Sequence, residues 1–331
     1  MSNPPQILVE GLTRTYRVAE RQAGTWGALK GLLRRRYRTV RALDGISFSM
    51  QPGELLGYIG PNGAGKSTTI KILSGILVPD SGRVEVFGLT PWRHRVETVG
   101  RIGVVFGQRT QLWWDLPVIE SFDLLRDIYR VPADRYRASR DRLVELLTLG
   151  PLLDTPVRQL SLGQRMRCDL AAALLHEPEI LFLDEPTIGL DATSKLAVRD
   201  FIEQLNKERG LTVILTTHDM DDIERLCSRI IVLNHGGIFL DGTVGELRAR
   251  VSRDRWLIVD FEQEADAAAV EAAPGVDADV FRRDGHRVWL RFDPEITPAA
   301  ALISSLGATH PIRDLTVENP AIEEIIARLY A

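Results

Sequence analysis

Gly60-Pro61-Asn62-Gly63-Ala64-Gly65-Lys66-Ser67-Thr68 follow directly on the apolar run Leu55, Leu56, Tyr58, Ile59. The pattern is G-x-x-x-x-G-K-[ST], with a strand pattern before it and a helix pattern, Thr68 to Leu77, after it. Gly60, Gly63 and Gly65 let the backbone turn tightly and direct successive N–H groups at one point. Asn62, Ala64 and Thr68 complete the loop. Lys66 offers a cation to β- and γ-phosphates, and Ser67 offers a hydroxyl to Mg²⁺. The helix aims its positive end at the same place. The stretch predicts a nucleotide-phosphate cradle in an α/β fold.

The surrounding chain has room for such a domain and a smaller one, at 331 residues. It is 44% hydrophobic and 26% charged, an ordinary globular composition. No run approaches the length of apolar chain that spans a bilayer. The first ten residues carry Pro4 and Pro5 and lack the basic-then-apolar order of a secretory signal. Cys168 and Cys227 do not make a disulfide framework; small buried apolar residues in a reducing compartment are expected. The net charge of −4 hides an asymmetry. Nine basic residues and one acid lie between Thr13 and Arg41, whereas acids dominate after Val251.

Apolar spacing divides the rest. Ile7 to Val18 reads as a strand or the start of a hairpin. Trp26, Leu29, Leu33, Tyr37 and Val40 recur at three and four residues among Arg34, Arg35, Arg38 and Arg41, which predicts a short amphipathic basic helix within an insert at about 19–41. Strand patterns follow at Ala42 to Pro52, Arg83 to Phe87 and Ile102 to Phe106. From about 115 to 178 helical spacing replaces β-branched runs, as in Val118, Phe122, Leu125, Tyr129. Strands resume at Ile180 to Leu183, Thr212 to Thr216 and Ile230 to Leu233, so the body is α/β with a helical block between its strands. Beyond Arg250 strand and helix patterns alternate again, with an Asp284-Gly285 turn, and predict a separate small α+β domain.

Ile180, Leu181, Phe182 and Leu183 end in Asp184 and Glu185. A buried strand delivers both carboxylates to its C-terminal edge, where α/β sheets bind ligands. Asp184 suits Mg²⁺; Glu185 suits the orientation or deprotonation of an attacking water. Ser161, in Leu160-Ser161-Leu162-Gly163-Gln164-Arg165, is a good N-cap, and Gly163 permits close approach of a phosphate.

Taken in order, the phosphate loop, Gln108 after a strand, Leu160 to Gln164, the acid pair, Gly189-Leu190-Asp191, and Thr217-His218 after another strand resemble the nucleotide-binding subunit of ABC transporters. The resemblance covers about Ile7 to Leu247. It implies a P-loop NTPase core of ABC type, occupying residues 1–250, with a helical subdomain at about 115–178 and a C-terminal accessory α+β domain at 251–331. It implies ATP and Mg²⁺ as cofactors. By that likeness Tyr16 stacks on adenine, with Tyr37 as the alternative. Lys66 and Ser67 serve phosphate and Mg²⁺. Gln108 contacts Mg²⁺ and the attacking water. Ser161, Gly163 and Gln164 bind the γ-phosphate held by a second copy. Asp191 lies in a loop crossing the dimer interface, and His218 contacts the γ-phosphate. One departure stands out: Leu162 occupies a signature position where the family usually has Gly.

The segment Gln111 to Pro117, the phrase Glu185 to Asp191, and the appended domain resemble the ATPases of bacterial ABC-2 type exporters. The resemblance implies a homodimer working with a permease on a separate chain, peripheral at the cytoplasmic face of the inner membrane, with no nucleic acid partner. The alternative is a non-transport ABC ATPase acting on nucleic acid or ribosomes. The basic insert has two readings, a lipid-facing element and a solvated hairpin set against the acidic C-terminal domain of the other subunit.

Overall fold

A computed structural model describes residues 4–19, 37–107, 109–251, 253–270, 277–320 and 322–330. The chain divides into two compact units, 1–243 and 244–331.

In the first unit, β1 (Ile7–Ala19) and β2 (Tyr37–Met50) form a long antiparallel hairpin. Then come β3 (Leu55–Ile59), α1 (Lys66–Leu73), β4 (Ser81–Val86), α2 (Arg95–Val99) and β5 (Ile102–Phe106). The helical block follows as α3 (Val118–Tyr129), α4 (Ala133–Leu146) and α5 (Leu162–Leu174). The unit closes with β6 (Ile180–Asp184), α6 (Ala192–Arg209), β7 (Thr212–Thr216), α7 (Met220–Leu226), β8 (Arg229–Asn234) and β9 (Gly237–Gly242).

Six strands form one sheet in the order β5-β6-β7-β3-β8-β9, parallel except for β9. A second sheet, β2-β1-β4, is antiparallel. Strands covered on both faces need unbroken apolar runs, and all of β3 and β7 is buried. Tyr58, Phe182, Ile214 and Ile231 from the large sheet share one core with Val9, Phe48 and Val84 from the small one. Each of the aliphatic and phenylalanine side chains among these contributes about 1.5–3 kcal/mol by leaving water. Both cysteines are buried and free.

The expected basic helix falls largely on residues 20–36, outside the described residues. Its last part is corrected here. Tyr37 to Arg41 is strand, with Val40 opposite Tyr16 and Thr39 opposite Arg17. Cross-strand pairing with β1 overrides the weak helical spacing, as β-branched Thr39 and Val40 favour.

The second unit contains α8 (Val244–Val251), β10 (Arg255–Phe261), α9 (Glu264–Ala269), β11 (Ala278–Asp284), β12 (Arg287–Phe292), α10 (Ala299–Thr309), β13 (Ile312–Glu318) and α11 (Ile322–Tyr330). Its antiparallel sheet runs β11-β12-β10-β13, the arrangement of a split βαβ unit. Leu257, Val259, Val288 and Leu290 meet Ala267, Leu302 and Leu306 in a core of its own. Helix α11 packs on α8.

Candidate nucleotide site

The candidate site lies at the C-terminal ends of β3, β6 and β7, where the parallel strands open into loops. Gly65 has φ 106°, and an added Cβ would sit 2.5 Å from both the Ala42 carbonyl oxygen and Leu43 Cδ2. Only glycine fits there. At Gly60 a Cβ would meet Ala64 and the Leu233 carbonyl at 3.0 Å, so the loop is pressed against β8. Lys66 is buried, and its Nζ donates to the carbonyls of Gly60 at 2.7 Å and Pro61 at 3.2 Å. Burial pushes its ammonium below the usual lysine range, and the carboxylates of Glu185 and Asp184 pull it back up.

Tyr16, Asn62, Gly63, Gly65, Lys66, Ser67, Thr68 and Glu185 line one cleft of ≈ 310 Å³. The Tyr16 hydroxyl is 3.5 Å from Thr68 Oγ1, and the Arg14 guanidinium is 5.1 Å from its ring centroid. Tyr37 is absent from this lining; it starts β2, 56% exposed, opposite Ala19.

Asp184 pairs with Thr216 across β6 and β7 and accepts from its Oγ1 at 2.6 Å. Glu185 follows with φ 57°, a left-handed conformation that strains a residue with a side chain. Its N–H is held by the Thr216 carbonyl at 2.9 Å and Thr216 Oγ1 at 3.1 Å. Gly107 lies against this bend, where a Cβ would come within 2.0 Å of the Glu185 carbonyl oxygen. The Gly107 N–H donates to the Asp184 carbonyl at 2.8 Å. His218 Nε2 is 2.7 Å from Glu185 Oε1. Glu185 is therefore shared between two cavities, the Lys66 cleft and a second one that it lines with His218, Thr187 and Thr217. Gln108 lies outside the described residues.

Ser161 caps α5 in a reciprocal box: Gln164 N–H donates to Ser161 Oγ at 3.2 Å, and Ser161 N–H donates to Gln164 Oε1 at 2.9 Å. Gly163 is buried, and a Cβ on it would come 2.6 Å from Ser194 Oγ. Asp191 caps α6 by accepting from Ser194 N–H and Oγ at 2.9 and 2.8 Å. Leu162 packs on Gly189, which has φ 71°. Ser161, Gly163, Gln164 and Asp191 thus gather together, and none of them lines the Lys66 cleft.

Sequence reasoning missed Gly107, Thr216, Asp169, Asp222 and Arg199. Asp169 lies on α5 and accepts from Thr110 Oγ1 at 2.8 Å and Gln111 N–H at 3.0 Å, tying the segment beyond β5 to α5. Its signal was available: a lone acid leading directly into the apolar helical stretch Leu170 to Leu174.

A left-handed glycine cradle, a buried lysine, and carboxylates at the end of a buried strand two places away in the same sheet define a P-loop nucleotide-binding ATPase. Comparison with known proteins narrows this. The ABC transporter family profile matches residues 43–188. The daunorubicin resistance ATP-binding protein DrrA3 of Streptomyces coeruleorubidus is 40% identical over 301 residues, 89% of this chain and 93% of the relative. The linearmycin resistance ATP-binding protein LnrL of Bacillus subtilis is 32% identical, covering 90% and 96%. A solved dimeric ATP-binding cassette in a post-hydrolysis state with ADP and Pi aligns with TM-score 0.59 at 26% identity, over 72% of this chain and 98% of that one. The chain belongs to the ABC transporter family, as an ATP-binding, ATP-hydrolysing subunit homologous to drug-resistance exporter ATPases. Such subunits dimerise and work with a membrane permease. The nucleic-acid alternative gains no support from these relatives. No described helix is long and apolar enough to cross a membrane.

Proposed function

We propose that this subunit drives export through a permease on a separate chain, as one half of a homodimer whose two ATP sites are shared head to tail. In each site Tyr16 stacks on adenine, and Gly60 to Thr68 hold the phosphates. Ser67, Asp184 and Gln108 supply hard oxygen donors suited to Mg²⁺, which would neutralise charge developing on the phosphates. Mg²⁺ binding of this kind uses one or two protein carboxylates beside the nucleotide, which fits a single nearby Asp184. Glu185 accepts the proton of the attacking water. His218 holds Glu185 and the γ-phosphate in line. Ser161, Gly163 and Gln164 of the second copy close the site, and Asp191 crosses the interface.

The observation that carries this reading is the separation of two clusters in one chain. Glu185 and His218 touch beside the cleft, while the Ser161–Gly163 turn lies outside its lining. A site incomplete in one copy needs a second. The two resistance relatives each align over about nine tenths of the chain, and so into the second unit, which supports export. We further assign 1–250 to the ATPase, 251–331 to an accessory domain that stabilises the dimer, and the basic insert at about 19–41 to the anionic surface of the cytoplasmic leaflet.

The test is Glu185→Gln in the full chain. Hydrolysis falls by about 10²-fold or more, and an ATP-dependent dimer accumulates on size-exclusion chromatography. Wild-type turnover by a species that stays monomeric with ATP would overturn the reading.

A further inference from the structure

His218 is 45% exposed, so its ring is not locked by packing, yet it sits 2.7 Å from Glu185. Something beneath must hold the two loops in register. Directly behind them is a buried polar cluster that the sequence motifs do not announce.

Asp222, on α7, is 1% exposed. Its Oδ2 accepts from Thr187 Oγ1 at 2.6 Å and from Thr217 Oγ1 at 3.0 Å. Thr187 is two residues beyond Glu185, and Thr217 directly precedes His218. One carboxylate oxygen therefore ties both loops. Asp222 Oδ1 takes Arg199 Nε from α6. Arg199 also donates to Asp219 Oδ1 at 2.9 Å, and Lys195 Nζ reaches Asp219 Oδ2 at 2.5 Å. The Asp219 N–H closes the ring by donating to Thr217 Oγ1 at 2.9 Å. His218 is thus fixed through its backbone on both sides. Well-packed apolar residues often match a buried ion pair in stability, so stability alone does not account for Arg199 and Asp222 in this core. Directional hydrogen bonds to two different loops set a distance that apolar packing would leave loose.

We propose that Asp222 is a positioning residue for ATP hydrolysis, fixing the Glu185–His218 contact through the hydroxyls of Thr187 and Thr217. The proposal rests on the roles given above to Glu185 and His218. Thr217→Val and Thr187→Val remove the hydroxyls at nearly constant shape, and Asp222→Asn removes the charge. In the full chain, kcat falls about 10- to 100-fold, the cost of misplacing a reacting group by about an ångström. ATP affinity, read by fluorescence titration, stays within about twofold, because none of these residues lines the Lys66 cleft. In a His218→Ala background, Thr217→Val lowers kcat by no more than about twofold, since the contact it positions is gone.

Two results would overturn the proposal. One is wild-type kcat in a Thr187→Val, Thr217→Val double variant. The other is an undiminished loss when Thr217→Val is added to His218→Ala. Should Asp222→Asn fail to fold, the threonine variants decide alone. If the threonine variants are normal while Glu185→Gln is inactive, only the positioning role falls; if Glu185→Gln is itself active, the site assignment falls.

Discussion

Replacing Asp169 by Asn should make this protein more stable at neutral pH. Asp169 is 4% exposed on α5, in a lining shared with Val104, Phe106 and Arg109. Burial pushes its pKa up from 3.8 to about 6; the bonds from Thr110 and Gln111 and the charge of Arg165 pull it down by less. The folded chain then holds this proton where the unfolded chain has lost it. Stability therefore falls as pH rises from 3.8 to about 6 and stays lower above that window. A gap of about two units corresponds to about 3 kcal/mol. Asn keeps an acceptor at Oδ1 and removes the charge, but its amide N–H₂ takes back part of the gain if unpaired. The expected net gain is about 1–3 kcal/mol at about pH 7.5. Urea unfolding followed by tryptophan fluorescence across the window measures it. The gain should shrink steadily as the buffer is acidified through about pH 6 towards 4. A variant less stable than wild type at neutral pH, or a gain independent of pH, would refute the argument.

Gly65→Ala forces a Cβ against the Ala42 carbonyl and a side chain into φ 106°; it should cost about 1–3 kcal/mol in backbone strain alone, and unchanged nucleotide binding by equilibrium dialysis would contradict the cradle. Tyr16→Ala should weaken ATP binding about tenfold, in line with about 1–3 kcal/mol per stacked base, while Tyr37→Ala leaves it unaltered; the opposite ranking in a titration would exchange their roles. Leu257→Ala, fully buried in the second unit, should lower that unit's stability by about 2–5 kcal/mol; resistance of residues 244–331 to limited proteolysis identical to wild type would count against that core.

Much of the first unit was legible because its central strands are buried on both faces. Ile180–Asp184 and Thr212–Thr216, both interior to the sheet, show as apolar runs with clear ends. The phosphate loop and acid pair were legible because their chemistry demands fixed residues at fixed spacing. Strand β9 was not, because its apolar run is only Ile238 to Leu240, set between Gly236-Gly237 and Gly242 at the sheet edge. Helix α6 carried a signal that went unused: Val198, Phe201, Ile202 and Leu205 recur at helical spacing and are buried. Arg199 and Asp222 could not be read, because a charged side chain is placed on the surface by default and only tertiary pairing puts it inside. Gly107 drew no reading from the sequence; its need for a bare backbone appears only once Glu185 lies against it.

Helix α6 is an eighteen-residue rod, about 27 Å long at 1.5 Å per residue. Its head abuts Gly163 through Ser194, and its flank grips the His218 loop through Lys195 and Arg199. Under the roles proposed above, a second copy seated on the serine-glycine turn would rest within two helical turns of the residues that hold the His218 loop, with one unbroken helix between them.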